Sequence, residues 1–387
     1  MVKPDRTRIR EPDTCVLKTL FTTSQPSASS SSRSWQWATP QIEGSNPCAR
    51  GGHTATLVSS IAGSGPKLVI FGGQFNNDGV YTNLNDVYVL DVDQNLWTTP
   101  AVKGTPPEAR YGHSASLVGS RVVYFGGRGD NATHFRDLHA LDVAAMTWYQ
   151  GPSSGGAPAA RMGHSSTLHG TNLLIFGGVS GPKFFSGLHV LDLTSMAWRT
   201  QETTGPAPSA RMGHTATLMD TNLVIHGGFH LPAAQQIEKT EAIGDMVKAC
   251  YMNDFRVLNL QTYEWSRLRT HGSPMAPRFG HTLVLSSNDL IGFGGWHGVN
   301  TENWATRGKD KPEQPSGNDE QSNEDCMILR TGDMTWSQVT YTGVAPCSRY
   351  FHSCTTIGPH LIVFGGYDGG KPLADLVVLR ETSDSKN

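Results

Sequence analysis

The chain of 387 residues carries 31 lysines and arginines against 33 aspartates and glutamates, which gives a formal net charge of −2 and a pI near 6.7. This balance provides no electrostatic footprint for nucleic acid or for an anionic membrane surface. We expect free thiols, a reducing compartment and therefore a cytoplasmic protein from six cysteines whose spacing follows no disulfide framework: Cys15, Cys48, Cys250, Cys326, Cys347 and Cys354.

The first 34 residues differ from the rest of the chain. They begin with basic residues that acidic residues interrupt, and they continue into a Ser-rich stretch over 24–34. This composition predicts a flexible tail over residues 1–34, with a mitochondrial presequence as the alternative. The sequence contains no apolar region of the secretory type, and the apolar run at 16–21 is far too short to span a bilayer, so we expect no membrane insertion.

The stretch 161–198 shows the pattern on which the chain is built. It reads RMGHSSTLHGTNLLIFGGVSGPKFFSGLHVLDLTSMAW, with apolar runs of strand length in HSSTL, NLLIFGG and LHVLDL and a fourth run that begins at Trp198. Four short strands with tight connections predict one small antiparallel sheet. Its runs are apolar over most of their length, which is typical of a sheet covered on both faces, and such a sheet needs neighbours.

The same pattern occurs six times. Each copy opens with Arg and has a His three residues later, as in RGGH at 50–53 and RYFH at 349–352. Behind each opening a Gly doublet closes an apolar strand, as in VIFGG and LIFGG. The opening arginines and the last glycine of each doublet are Arg50, Arg110, Arg161, Arg211, Arg278 and Arg349, with Gly73, Gly127, Gly178, Gly228, Gly295 and Gly366.

One of the six repeats lacks its ending. Five tryptophans mark the fourth strands of the first five repeats, but after the sixth doublet the sequence predicts only one more strand, LADLVVLRE. The stretch before the first opening, around Trp35 to Pro40, parallels the segment that follows the first repeat. We therefore predict that this N-terminal stretch supplies the fourth strand of the last sheet and closes a ring of six over residues 35–380, with a short tail at 381–387.

A repeat of about 50 residues with a Gly doublet after the second strand and a Trp in the fourth resembles the kelch motif. Kelch repeats form β-propellers, so the resemblance, which covers roughly 35–380, implies an all-β, six-bladed kelch β-propeller. In such a propeller the first strand of each blade lies near the axis. The Gly doublets then allow close approach between blades, and the tryptophans fill the outer wedges.

The connections between second and third strands should emerge on the same face as the opening arginines, and we call this surface the loop face. Two of these connections are long, at 229–254 in blade four and 296–325 in blade five. A Pro- and Gly-free run at 233–243 predicts a helical turn or two in the first insertion. The second is polar and Pro-rich, and we expect disorder beyond Trp304, with a tolerated surface insertion as the alternative.

Metal chemistry is weakly supported by the sequence. The repeated histidines occur once per blade and should be spread around the axis, so we expect them to be structural and to bond backbone groups. Cys347, His352 and Cys354 occupy ordinary repeat positions, and His226 with His230 lacks a third ligand. We expect no cofactor and no enzymatic activity.

Two kelch-like enzyme classes provide the rival hypothesis. The plant nitrile-specifier proteins hold iron through a Glu-x3-Asp-x3-His loop, and this chain offers Glu241 and Asp245 but has Ala249 where the family has His. Copper oxidases with kelch-like propellers need a Tyr–Cys cross-link and further ligands, and no comparable set is evident. A metal-dependent kelch enzyme is therefore the lesser alternative.

The resemblance favours a monomeric, non-catalytic scaffold or adaptor that binds a protein or peptide on the loop face. A substrate-recognition subunit of a ubiquitin ligase and a small-GTPase trafficking effector are the alternatives. Kelch domains that bind acidic peptides use arginines from the opening position, and aromatic and Arg side chains dominate compact interfaces. The candidate binding residues are Arg128, Phe135, Phe184, Phe185, Phe229, His230, Trp296, His297, Trp304 and Tyr367, with Arg110, Arg161, Arg211 and Arg278; Phe75 and Tyr81 also qualify as loop-tip aromatics.

Overall fold

The structure, a computed structural model, describes residues 33–59, 65–77, 79–151, 156–231, 250–296 and 326–382. The described strands form six small antiparallel sheets, each with four principal strands, and confirm the predicted six-bladed propeller. The second strand of each blade is buried almost throughout, as in Asn172–Phe176, because the neighbouring blades cover both of its faces. This burial explains why these strands are continuously apolar rather than alternating.

In chain order the strands are β1 (Ser34–Ala38), β2 (Glu43–Gly44), β3 (Thr54–Val58), β4 (Lys67–Asn77), β5 (Val80–Asp91), β6 (Leu96–Thr98), β7 (Ser114–Val118), β8 (Arg121–Phe125), β9 (Leu138–Asp142), β10 (Thr147–Gln150), β11 (Ser165–His169), β12 (Asn172–Phe176), β13 (Val179–Ser180), β14 (Lys183–Phe184), β15 (Leu188–Asp192), β16 (Ala197–Gln201), β17 (Thr215–Met219), β18 (Asn222–His230), β19 (Cys250–Asn259), β20 (Glu264–Arg267), β21 (His271–Gly272), β22 (Thr282–Ser286), β23 (Asp289–Phe293), β24 (Cys326–Arg330), β25 (Thr335–Gln338), β26 (Tyr341–Thr342), β27 (Ser353–Ile357), β28 (His360–Phe364) and β29 (Leu376–Thr382). A 3-10 turn spans Asp130–Ala132.

From axis to rim, blades one to three are β3-β4-β5-β6, β7-β8-β9-β10 and β11-β12-β15-β16, and blades four to six are β17-β18-β19-β20, β22-β23-β24-β25 and β27-β28-β29-β1. In blades one and four the second and third strands continue past the Gly doublet as long hairpins that project from the loop face. The helical turn predicted over 233–243 lies outside the described residues.

The ring is closed by β1, as the unpaired sixth repeat predicted. β1 pairs with β29 in antiparallel register, with Trp35 opposite Glu381 and Trp37 opposite Leu379. On its outer side β1 pairs in parallel with β26, which lies in the connection between blades five and six. The N-terminal strand is therefore held by the C-terminal strand on one side and by the preceding blade's connection on the other.

At the axis, backbone hydrogen bonds join the six blades in a closed ring. The residue before each repeat histidine donates its N–H to the carbonyl of the equivalent residue in the preceding blade, at 2.8 to 2.9 Å. All six have a positive φ, a region that favours glycine. Five are glycine and the sixth is Phe351, with φ +54°; the glycines are Gly52, Gly112, Gly163, Gly213 and Gly280.

The tryptophans fill the wedges between blades. Trp198 packs against Phe125 of blade two with ring centroids 5.4 Å apart, and Trp265 packs against Phe176 of blade three at 5.5 Å. In each pair the partner is the aromatic residue that precedes the Gly doublet in the neighbouring blade. Burial of such large apolar surfaces is the main favourable contribution to blade packing.

The side chains of the repeat histidines also connect neighbouring blades. His113 Nε2 lies 3.0 Å from the Thr54 hydroxyl, and His164 Nε2 lies 2.8 Å from the Ser114 hydroxyl. The hydroxyl-bearing residue directly follows the preceding blade's histidine. The same arrangement recurs in most of the blades, and its recurrence supports the expectation that these histidines are structural.

Candidate functional site

The mouth of the central channel on the loop face is formed by a short extra bridge in each blade. The residue after each opening arginine pairs with the residue after the Gly doublet, as in Met162 N–H to Val179 O at 3.0 Å and the reverse at 2.9 Å. We call these twelve residues the channel mouth: Gly51 and Gln74, Tyr111 and Arg128, Met162 and Val179, Met212 and Phe229, Phe279 and Trp296, and Tyr350 and Tyr367.

The channel mouth is polar on one side and apolar on the other. Blades one and two contribute Gln74 and Arg128, while blades three to six contribute methionine, valine and aromatic side chains. The aromatic rings form a continuous row, with centroid separations of 5.4 Å for Phe229 and Phe279 and 6.1 Å for Phe279 and Tyr350. These rings are half-buried. A half-exposed aromatic row bordered by polar groups is typical of a surface that binds another molecule.

A cavity of about 210 Å³ opens between blades one, two, three and six at this mouth. Its wall includes the predicted site residue Tyr367, whose hydroxyl donates to the Gln74 carbonyl at 2.8 Å. The Tyr367 ring fills the space that a side chain at Gly51 would need, so blade one has no side chain of its own there. The other principal side chains are Gln74, Asn76, Tyr81, Tyr111, Met162, Tyr350 and Phe351.

Phe351 is not among the candidate residues selected from the sequence. It stands where the other repeats have glycine, and its ring projects into the channel mouth, 5.4 Å from the ring of Phe279. The signal was present, because the sixth opening reads RYFH where the pattern is RxGH. The residue directly after the opening arginine was likewise the signal for Tyr111, Met162 and Tyr350.

The opening arginines lie beneath the loop face. Arg110, Arg161, Arg211 and Arg278 are each 1% exposed. Each donates through Nη1 to the carbonyl of the first glycine of its own doublet, at 2.7 to 2.9 Å, and through Nε to the carbonyl two residues earlier. These guanidiniums therefore hold the opening segment against the Gly doublet, a structural arrangement common to the blades.

Four of the opening arginines are also paired with an aspartate that lies within the third strand of the blade or directly before it. Arg110 makes a two-pronged ion pair with Asp137, with distances of 2.6 and 2.9 Å. Burial acts to raise the pKa of Asp137, but hydrogen bonds from Arg110 and His139 hold it below its usual value. Equivalent pairs join Arg50 to Asp86, Arg211 to Asp254 and Arg349 to Asp375.

The two adjacent phenylalanines of blade three have different environments. The guanidinium carbon of Arg161 lies 4.2 Å from the ring centroid of Phe185, just as that of Arg110 lies 4.0 Å from Phe135 in blade two. Phe184 instead faces blade four, where its ring lies 5.8 Å from Phe229 and 5.2 Å from His230. Phe185 and Phe135 thus cover arginines, while Phe184 extends the aromatic row.

The remaining predicted site residues fall into two groups. Arg128 donates to the Tyr111 hydroxyl at 3.2 Å, and the Trp296 ring lies 5.5 Å from that of Tyr350. The structure therefore brings Arg128, Phe184, Phe229, His230, Trp296 and Tyr367 to the channel mouth or its edge. His297 and Trp304 lie outside the described residues, as do Glu241, Asp245 and Ala249 of the possible metal loop.

Within the described ranges, no group of three or more His, Cys, Asp or Glu side chains is placed to hold a metal ion. The part of the chain that the structure describes also contains no helix with the length and apolarity needed to cross a membrane.

Comparison with known proteins extends these observations. A family profile described as the KLHDC2/KLHL20/DRC7 Kelch-repeats domain matches residues 59–295, and the Kelch motif profile matches residues 348–379. Acyl-CoA-binding domain-containing protein 5 of Arabidopsis thaliana is 39% identical over 142 residues, which cover 37% of this chain and 20% of the plant protein.

Two further relatives align with most of the chain. Kelch domain-containing protein 3 of Homo sapiens is 27% identical over 326 residues, which cover 83% of this chain and 62% of the human protein. Host cell factor of Drosophila melanogaster is 26% identical over 334 residues, which cover 84% of this chain and 16% of that protein. The chain therefore spans less than two thirds of the length of each of these relatives.

Proposed function

The chain belongs to the kelch-repeat family, and from that premise we propose that it is a non-catalytic interaction module that binds a partner protein at the channel mouth. The relatives with kelch domains support a protein-interaction role in general terms. A scaffold, a ubiquitin-ligase subunit and a trafficking effector would each bind a different partner, and each would bind it through this same surface. We propose a monomer that acts in the cytoplasm.

The observation that carries this proposal is the combination of a cavity and an aromatic row on one face. A cavity of about 210 Å³ is large enough to receive one or two side chains of a partner. Beside it, Phe229, Phe279 and Tyr350 offer apolar area, and Gln74 and Arg128 offer hydrogen bonds. An apolar centre with polar groups at one edge is the usual composition of a protein-binding surface.

Site-specific photo-crosslinking tests the proposal. Tyr81 is 60% exposed and lines the cavity, while Tyr149 is 46% exposed on β10, the rim strand of blade two. A photoreactive phenylalanine analogue in place of Tyr81 should yield a discrete crosslinked partner in a lysate of cells that express the protein. The same analogue in place of Tyr149 should not, because that position lies away from the channel mouth.

A second substitution makes the result specific to the cavity. Tyr350→Ala should abolish the Tyr81 crosslink, since it removes the ring that connects the cavity to the aromatic row. Val344→Ser, at a position 89% exposed beyond β26 on the rim, should leave the crosslink unchanged. Equal crosslinking from Tyr149, or a crosslink that survives Tyr350→Ala, would place the binding surface elsewhere.

A further inference from the structure

The wall of the cavity at the channel mouth is rich in aromatic rings. Among the described residues that line it there is no Asp, Glu, Lys or Arg. The ring centroid of Tyr350 lies 5.7 Å from that of Tyr367 and 5.5 Å from that of Phe351. We call the five rings that line the cavity the aromatic cage: Tyr81, Tyr111, Tyr350, Phe351 and Tyr367. The faces of such rings carry partial negative charge, so rings that surround one space attract a cation.

A chain of three hydrogen-bonded side chains ends at the cavity with an acceptor group. The carboxylate of Asp130 can only accept hydrogen bonds, so Asn83 turns its Nδ2 toward it, at 2.7 Å. Asn83 therefore presents its Oδ1 to Gln74, whose Nε2 donates to it at 3.1 Å. This orientation leaves Oε1 of Gln74, a residue of the cavity wall, to accept a hydrogen bond from a ligand.

The electrostatics of the cavity wall favour a cation. Each amide that donates toward Asp130 becomes a stronger acceptor at its carbonyl oxygen, so Gln74 Oε1 gains partial negative charge. Burial, followed by the other three phenols of the aromatic cage, raises the pKa of Tyr367, because these surroundings disfavour negative charge on its hydroxyl. Arg128, the charged residue of the channel mouth, is not part of the cavity wall and donates to the Tyr111 hydroxyl at 3.2 Å.

The backbone of Phe351 indicates that its ring serves this cavity. Its φ is +54° at a position where the other five blades have glycine, and a bulky residue rarely adopts this conformation. Backbone strain of this kind is concentrated at functional sites. The ring of Phe351 lines the cavity at the channel mouth, so we attribute the retained strain to ligand binding there.

We propose that the aromatic cage binds the ammonium group of a lysine side chain from the partner, with Gln74 Oε1 as its hydrogen-bond acceptor. The methylene stem of the lysine packs along Met162 and the rings, while its charged end meets the amide oxygen. Lysine fits better than arginine because a guanidinium is best matched by a carboxylate, which the described cavity wall does not contain. This proposal rests on the proposed function, because it names the side chain that the partner inserts at the channel mouth.

A titration with minimal probes tests the aromatic cage on the unmodified chain. The protein carries ¹³C-labelled tyrosine, and the ring resonances of Tyr111 and Tyr350, assigned from Tyr111→Phe and Tyr350→Phe, are followed as N-acetyl-lysine N-methylamide is added at constant ionic strength. Both resonances should shift saturably, while that of Tyr149 on the rim should not. The norleucine analogue, which lacks the ammonium group, should require about a tenfold higher concentration for the same shift.

Two variants separate ligand binding from folding. Phe351→Gly gives blade six the residue of the other five blades, so relief of backbone strain offsets the lost ring contacts and Tm should change by less than about 2 °C. Its affinity for the lysine probe should fall about fivefold, because the cage loses one wall. Asp130→Asn keeps an acceptor for Asn83 but removes the charge, so it should weaken lysine binding about twofold and leave norleucine binding unchanged. If Phe351→Gly fails to fold, the titrations of the unmodified chain and of Asp130→Asn still decide.

Several outcomes would overturn the proposal. The first is equal binding of the lysine and norleucine analogues, which would show an apolar pocket without a preference for charge. The second is tighter binding of the glutamate analogue, which would mean that Arg128 sets the charge preference of the cavity. The third is tighter binding of the arginine analogue, which would assign the aromatic cage to a guanidinium instead of an ammonium group.

The two proposals fail in different ways. If the aromatic cage does not prefer an ammonium group, the Tyr81 crosslink and its loss in Tyr350→Ala are unaffected. If the channel mouth does not bind a protein, the crosslink is absent while the tyrosine resonances still respond to the lysine probe.

Discussion

The glycines of the repeat are required by two separate physical constraints. At Gly126, in the doublet of blade two, φ is +66°, and an added Cβ would come 2.8 Å from the Arg161 carbonyl and 2.9 Å from His164 Cε1 of the next blade. At Gly119, in the turn between β7 and β8, φ is +61°, but no atom lies within 4 Å of an added Cβ. The doublet glycine is thus constrained by backbone conformation and by blade contact together.

Because only Gly126 is also constrained by contact with the next blade, alanine should destabilise the protein more at Gly126 than at Gly119. Gly119→Ala should lower the free energy of unfolding by about 1 kcal/mol, the usual cost of a left-handed conformation for a residue with a Cβ. Gly126→Ala should cost at least about twice as much, because the methyl group also pushes two blades apart. Urea unfolding of both variants measures the costs, and equal values would show that the blades adjust freely to the added methyl group.

At the scale of the blade, blade four breaks the aromatic pattern by placing His226 before its Gly doublet. His226 is fully buried, and its Nδ1 lies 2.9 Å from Nε2 of His281 in the next blade. Burial, and then the charge of Arg278, lowers the pKa of His226 to about 3. The repeat histidines equivalent to His281, such as His113 and His164, contact a hydroxyl group of the preceding blade instead. The residue of blade four at the position of that hydroxyl is Thr215.

A buried neutral histidine makes stability depend on pH. Between the unfolded pKa of about 6.5 and the folded pKa of about 3 the unfolded chain binds more protons, so stability falls as the pH drops through this range. His226→Phe removes one such group and leaves Thr215 available to His281. The loss of unfolding free energy between pH 7.5 and pH 5 should therefore shrink by about 2 kcal/mol.

Urea titrations at the two pH values measure this difference. An unchanged loss in His226→Phe would mean that this residue takes up its proton without unfolding, so that it does not contribute to acid sensitivity.

At the scale of the whole molecule, closure depends on a single short strand. β1 carries Trp35 and Trp37, which are 4% and 2% exposed, and the ring of Trp37 lies 5.2 Å from Phe293 of blade five. Without β1, blade six would expose the edge of β29 and its contact with blade five. An open ring would also place unpaired strand edges in water, which favours association between chains.

Two truncations test the role of closure. A chain that starts at residue 40 should lose the cooperative unfolding transition, because the loss of two buried tryptophans at about 3–5 kcal/mol each approaches the whole stability of a typical domain. A chain that starts at residue 33 retains every described contact of β1 and should melt within about 2 °C of the full chain. Calorimetry distinguishes the two, and a cooperative transition in the shorter chain would contradict the importance of closure.

The sequence predicted the propeller because its determinants are local and repeated. The Gly doublets, wedge tryptophans and alternating strand and turn signals recur in phase, and the unpaired ending of the last repeat was enough to predict closure by β1. The repeat histidines are expected from the sequence to be structural, and in five of the blades the structure places their Nε2 atoms within hydrogen-bond distance of a hydroxyl group of the neighbouring blade. Repetition made the fold predictable from the sequence, because each blade contacts its neighbours in the same way.

The candidate site was predicted less completely, because it depends on where equivalent residues meet around the axis. Phe184, Phe229, Trp296 and Tyr367 were selected as loop aromatics. Phe351 and the residues that directly follow the opening arginines were not selected, since their convergence requires six blades in place. The opening arginines are buried by contacts with doublets and aspartates more than ten residues away.

The sequence by itself thus determined the architecture, because strand period, turn chemistry and repeat count are properties of neighbouring residues. Only the tertiary structure decided which side chains line the channel mouth and which opening arginines are paired with an aspartate. Those properties arise from distances between blades, and distances between separated segments are set by packing around the closed ring.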